Sequence, residues 1–164
     1  MVSPPEDAIA IANAQNFKNL VLLNLGHNGI GDIGMKSIAL SPILSNLTKL
    51  QLHYNKITSN GLIFPINSAT LTNLTSLSIS DNKIDSIGIQ VLASSPNFAK
   101  LVELDVGCNR SIGIEGAMAL FSSQVLKNIK ILDLDGCKIG DSGCTALAAS
   151  TTLTNLTLLD LKQQ

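Results

Sequence analysis

Three cysteines, two histidines and a group of carboxylates are the residues of this chain with chemistry to offer. A cysteine nucleophile needs a histidine within hydrogen-bond reach, and a metal site needs three or four converging ligands. In the strand register set out below, His53 and Cys108 lie two strands apart, ~9.6 Å by strand spacing, too far to couple. His27 and His53 fall on adjacent strands but at different positions, with no third ligand in view. Glycine-rich phosphate loops are lacking, because every glycine has a place in a repeating unit. The residues therefore point to no catalytic group, no cofactor and no metal. What remains is a column of acids, Glu103, Asp105, Asp133, Asp135 and Asp160, whose chemistry is the binding of cations or of basic side chains.

The elements that hold this column follow from one pattern, L-x-x-L-x-L-x-x-N-x-I. Its first positions are Leu20, Leu47, Leu74, Leu101, Ile129 and Leu156, a period of 27 residues with one step of 28 where Ser111 is inserted. Its asparagine slot holds Asn28, Asn55, Asn82, Asn109 and then Cys137. A glycine follows at Gly34, Gly61, Gly88, Gly116 and Gly143, and an apolar pair four residues on, as in Ile38-Ala39 and Leu92-Ala93. A further apolar column, Phe17, Leu44, Leu71, Phe98, Leu126 and Leu153, completes the unit and is expected to pack a helix.

Alternation within L-x-x-L-x-L buries the fourth and sixth positions on one side of a short strand. A return segment that changes from period 2 to period 3.6 brings the next strand back parallel to the last. Helices are wider than the ~4.8 Å strand spacing, so they force the stack to curve with the sheet on the inside. The expected architecture is an α/β solenoid, a horseshoe arc with a parallel sheet on its concave face and helices on its convex face. It forms one domain over residues 1–164, with a helical half-repeat cap over 1–19, five full repeats from 20 and a truncated sixth over 156–164.

The units NKITSNG, DNKIDSIGIQVLA and GCKIGDSGCTALA resemble ribonuclease-inhibitor-like leucine-rich repeats, and the G-x-x-x-L-A element is similar to that of the GALA-type repeats of bacterial effectors. The resemblance implies a protein ligand held by the inner face or rim, in a family that includes inhibitors, immune sensors, GTPase-activating proteins and adaptors. An activator of GTPases needs an exposed arginine, and Arg110, beside the Ser111 insertion, is the only arginine here.

Some positions depart from the unit. Pro65 stands in the apolar pair of the second return segment, which is expected to be a short or irregular helix. Ser3-Pro4-Pro5-Glu6 reads as a capping box. The sixth strand carries no helix or polar cap in the sequence, so it is expected either to continue in a longer protein or to engage another chain, end-to-end self-association included. Cys137 reads as a packing residue, since N/C alternation belongs to the repeat, and so does Cys144. The triplet Asn-Leu-Thr at Asn46, Asn73 and Asn155 recurs at one repeat position and reads as structural.

The strand positions facing away from the core are the third, fifth, seventh and eighth. Down the fifth run Asn24, Gln51, Ser78, Asp105, Asp133 and Asp160, a drift from amide to hydroxyl to acid. Like charges ~5 Å apart repel by roughly 0.8 to 3 kcal/mol per pair before side chains splay, a cost that Ser78 and Gln51 avoid in the same slot. The acids, with Ile131 and Leu158 as apolar anchors, form a candidate surface for a protein with a basic patch. Lys49, Gln51, His53 and Tyr54, with His27, form a second, mixed patch.

Composition agrees. The 164 residues are 45% hydrophobic and 14% charged, enough to build a core. A net charge of −1, no Trp and one Tyr offer nucleic acid neither a basic face nor a stacking platform. No apolar run reaches the roughly 20 residues of a membrane helix. The amino terminus MVSPPEDAIAIA lacks the basic and apolar regions of a signal peptide, and an odd number of cysteines suggests free thiols. A cytoplasmic protein, or one delivered to a host-cell cytoplasm, is expected.

Overall fold

A computed structural model describes residues 4–163 of the chain. Each L-x-x-L-x-L run forms a three-residue strand: β1 Leu22–Asn24, β2 Lys49–Gln51, β3 Ser76–Ser78, β4 Glu103–Asp105, β5 Ile131–Asp133 and β6 Leu158–Asp160. They make one parallel sheet in sequence order. The register puts Leu23, Leu50, Leu77, Leu104, Leu132 and Leu159 opposite one another, so the repeat spacing and the sheet register are the same quantity.

Between strands the chain returns through helices α1 Pro4–Asn13, α2 Gly31–Ala39, α3 Ser59–Ile66, α4 Ser86–Ser94, α5 Gly113–Phe121 and α6 Gly140–Ala148. Each packs on the next. Together strands and helices form the expected solenoid, sheet on the concave side. The core lies between the layers: Leu50, Leu52, Ile57, Leu74, Ile79, Ile84, Leu101 and Val106 are fully buried. The glycine column is a matter of space. A Cβ on Gly34 would stand 2.5 Å from Cβ of Ile30 and 3.1 Å from Cβ of Ala8 on the neighbouring helix.

Helices begin in two ways. α2, α5 and α6 start at Gly31, Gly113 and Gly140, all with φ between 58° and 63°. α3 and α4 start one residue later in the unit, after Thr58 and Asp85, whose side chains accept from the N–H groups of Asn60 and Gly88. α3 is indeed short, eight residues. The residue it lacks is at its start, where Thr58 caps it, while Pro65 is buried within its last turn. Of the expected capping box, Ser3 lies outside the described residues.

The asparagine column stitches coil to coil. Asn55 Oδ1 accepts from the N–H groups of Asn28 and Ile30 at 3.2 and 3.1 Å, and its Nδ2 donates to the Leu25 carbonyl at 2.7 Å. Asn82 accepts from Asn55 and Ile57 and donates to the carbonyls of Leu52, Ile79 and Ser80. Asn109 continues the ladder, and Cys137 ends it with Sγ 3.3 Å from the Val106 carbonyl.

Two more ladders share the period. The buried hydroxyls of Ser41, Ser68, Ser95 and Ser123, with half-buried Ser150, donate to carbonyls of the preceding coil, as Ser41 does to Ala12 at 2.5 Å. Asn46, Asn73 and Asn155 donate to the carbonyls of Lys18, Ser45 and Lys127, which gives the Asn-Leu-Thr triplet a structural role.

The apolar column from Phe17 to Leu153 packs into the core: Leu44, Leu71, Phe98, Leu126 and Leu153 are buried and Phe17 lies against them. Phe17, Leu44 and Phe98 end separate short turns, Gln15–Phe17, Pro42–Leu44 and Pro96–Phe98; in the last two, Pro42 and Pro96 start a new turn instead of extending the helix before them. At β6 the inward leucine is not covered. Leu159 is 39% exposed, since no coil among the described residues packs over it. Among the described residues no helix is long and apolar enough to cross a membrane.

Candidate functional site

Strand pairing assembles the acidic column into rows. Glu103, Ile131 and Leu158 are successive partners in one row, and Asp105, Asp133 and Asp160 in the next. Ser76 and Ser78 extend these rows to Lys49 and Gln51 on β2. Ile131 is half-buried and Leu158 is 51% exposed. Gln51, His53, Ser78, Glu103, Asp105 and Ile131 line an open hollow of about 520 Å³ at the middle of the sheet.

The fifth-position side chains do a structural job that the alternation pattern does not reveal. Asn24, Asp105, Asp133 and Asp160 each accept, through Oδ1, the N–H two residues on, at Gly26, Gly107, Asp135 and Lys162. The bond closes a small side-chain turn as the chain leaves the strand. At these four strands the turn uses an acceptor oxygen, and Asn24 shows that it does not need a charge.

The charges themselves are handled unequally. Asp105 Oδ2 accepts from the hydroxyls of Ser78 and Ser80 at 2.6 and 2.7 Å. Asp160 pairs with Lys162 Nζ at 2.6 Å, which lowers its pKa. Asp133 has no such partner: burial, followed by the charges of Asp105, Asp160 and Asp135, pushes its carboxyl above the ordinary range against one opposing backbone bond. Asp135 Oδ1 is buried without a hydrogen-bond partner. The acidic field is thus concentrated on β5 and the turn after it.

The mixed patch closes into a cluster. The rings of His27 and His53 meet edge to face at 5.1 Å, and His27 stacks on Tyr54 at 4.8 Å. Their separate motif positions hid this contact. His27 and Tyr54 have φ of 62° and 58°, in the left-handed region, so the chain turns sharply at both. His53 lies over Gly26, where a Cβ would collide with its ring. Tyr54 is 58% exposed, and Lys49 is exposed nearby on β2.

The cysteines are free thiols. Burial pushes the Cys137 thiol up to about 12, and Cys108 is raised by burial and by Asp81 and Asp135. Both shifts disfavour the thiolate, the reactive form. Cys144 packs against the core. Among the described residues no group of three or more His, Cys, Asp and Glu is placed to hold a metal.

This geometry has relatives. Models of leucine-rich repeats match residues 45–93 as two copies and residues 18–39, 99–121 and 125–148 as single copies. The chain is a leucine-rich repeat protein. The tropomodulin C-terminal domain of Caenorhabditis elegans is 14% identical over 89% of this chain and 90% of that one, with a TM-score of 0.62. An internalin from Listeria monocytogenes is 22% identical over 94% of this chain and 51% of that one, with a TM-score of 0.48. The tropomodulin likeness is one of fold. No match is found among the curated proteins. Leucine-rich repeat proteins generally act by binding other proteins on the extended surface that the curvature creates.

Proposed function

We propose that this leucine-rich repeat protein is an interaction module, an adaptor or effector, whose concave face receives basic side chains of a protein partner. The observation that carries this is the state of β5. Asp133 is crowded by three other carboxylates, and Asp135 beside it keeps a buried oxygen without a partner, an arrangement that a lysine or arginine from outside would relieve. Ile131 and Leu158 supply apolar area in the adjoining row, and the hollow bounded by Gln51, His53 and Glu103 leaves room for a side chain. The His27, His53 and Tyr54 cluster, with Lys49, is a second contact region on the same face. Three free cysteines fit a reducing compartment.

Asparagine at 105, 133 and 160 together removes three charges and retains the acceptor oxygens. The triple variant is expected to melt within a few degrees of the native protein and to bind an arginine-rich peptide at least about tenfold more weakly at low salt, an effect near 1.4 kcal/mol. Undiminished binding would refute the proposal.

A further inference from the structure

A second charged surface lies one turn beyond the first. The tenth position of the repeat, between the asparagine and the isoleucine, holds Gly29, Lys56, Lys83, Arg110 and Lys138. Four of the chain's eleven lysines and arginines thus stand in one column, one per coil, on the rim where the chain leaves the sheet for its helices. The coils stay paired there: the Lys83 N–H donates to the Ile57 carbonyl at 2.8 Å, and Thr58 bridges Lys83 as Asp85 bridges Ser111. At ~4.8 Å per coil, the column spans about 15 Å.

We propose that this rim is a docking surface for an acidic segment of a partner polypeptide. All four side chains are exposed, and among the described residues none enters an ion pair. Two carboxylates of the next turn are occupied elsewhere: Asp32 accepts from Thr58, and Asp85 from Ser59 and Gly88. Nor does the backbone select a lysine at two of the four positions. Lys56 and Lys138 have φ of 63° and 57°, a conformation that suits the glycine found at Gly29 and disfavours a long side chain. Four like charges at coil spacing repel one another until an anion joins them, so the column favours a ligand with several negative groups in line.

The surroundings choose the class of anion. Asp81 lies in the hollow with Lys56 and Lys83, and Asp133 and Asp135 are on the neighbouring face. A nucleic-acid backbone carries a fixed charge at every residue and meets these carboxylates, whereas a polypeptide can set neutral residues against them. Three of the four cations are lysines, point charges without the planar fork that favours phosphate.

The test uses a fluorescein-labelled glutamate-rich decapeptide and anisotropy at about 20 mM salt, where the Debye length exceeds the column spacing. The native protein is expected to bind it, and Lys83→Gln with Arg110→Gln to weaken binding at least about tenfold. Lys56→Gln with Lys138→Gln is expected to weaken it severalfold and decides the matter if the first pair disturbs folding. Asp105→Asn with Asp133→Asn is expected to leave this binding unchanged or stronger, which separates the rim from the concave face. No binding by the native protein, binding as tight as the native protein's by both pairs, or displacement of the peptide by a single-stranded oligothymidylate of equal charge at lower concentration would overturn the proposal, the last in favour of nucleic acid.

Discussion

Two polar columns run through this solenoid at the same 27-residue step, and they behave differently. The inner one, Asn55, Asn82, Asn109 and Cys137, is largely buried, makes up to five hydrogen bonds per residue and scarcely changes. The outer one, from Asn24 through Gln51 and Ser78 to Asp160, keeps one structural bond at four of its six positions and otherwise changes from coil to coil. Where a side chain must satisfy backbone groups cut off from water, few chemistries fit. Where water can substitute, residue type is free to serve a partner.

Breaking the inner column should have the largest effect. Asn82→Ala leaves the N–H groups of Asn55 and Ile57 and several carbonyls without their partner. At about 1–3 kcal/mol per stranded buried group, partly offset by water, the loss is expected to be about 3 kcal/mol. That corresponds to roughly 6–12 °C in Tm for a chain of this size. A thermal melt shifted by less than about 2 °C would mean the ladder is dispensable.

Asp85→Ala should cost less, about 1 kcal/mol, through loss of the α4 cap. Hydrogen bonds from Ser59 and Gly88 lower the Asp85 pKa. Its contribution is therefore present above the ordinary aspartate value and lost as pH falls through the lowered one, so the difference between the two proteins in pH-dependent denaturant titrations should shrink on acidification.

The smallest effect sharpens the comparison from the other side. Asp133 has a raised pKa, so it favours the folded state only while protonated, below the ordinary aspartate value, and that contribution is lost as pH rises through the raised one. Asp133→Asn should thus raise Tm slightly at neutral pH and make no difference in acid. A lower Tm at neutral pH would show that the carboxylate supports the fold.

The same contrast explains what the sequence made legible. Period, strand register and asparagine ladder were readable because leucine and asparagine in a fixed frame have few other uses. The serine ladder at Ser41, Ser68, Ser95, Ser123 and Ser150 has the same period, but serine between a helix and a turn reads as ordinary loop. The left-handed turns at His27 and Tyr54 carry no glycine to announce them, so the contact of His27 with His53 was hidden by their different motif positions. The acidic column was visible as composition. Its bonds to the N–H two residues on were not, and these separate the need for an oxygen from the presence of a charge.

That separation can be measured in one pair of experiments on the native protein and the variant with asparagine at 105, 133 and 160. Melting temperature and affinity for an arginine-rich peptide at low salt are compared. Near-equal melting with at least about tenfold weaker binding is the predicted result. A variant that unfolds, or one that binds the peptide as tightly as the native protein, would contradict the account.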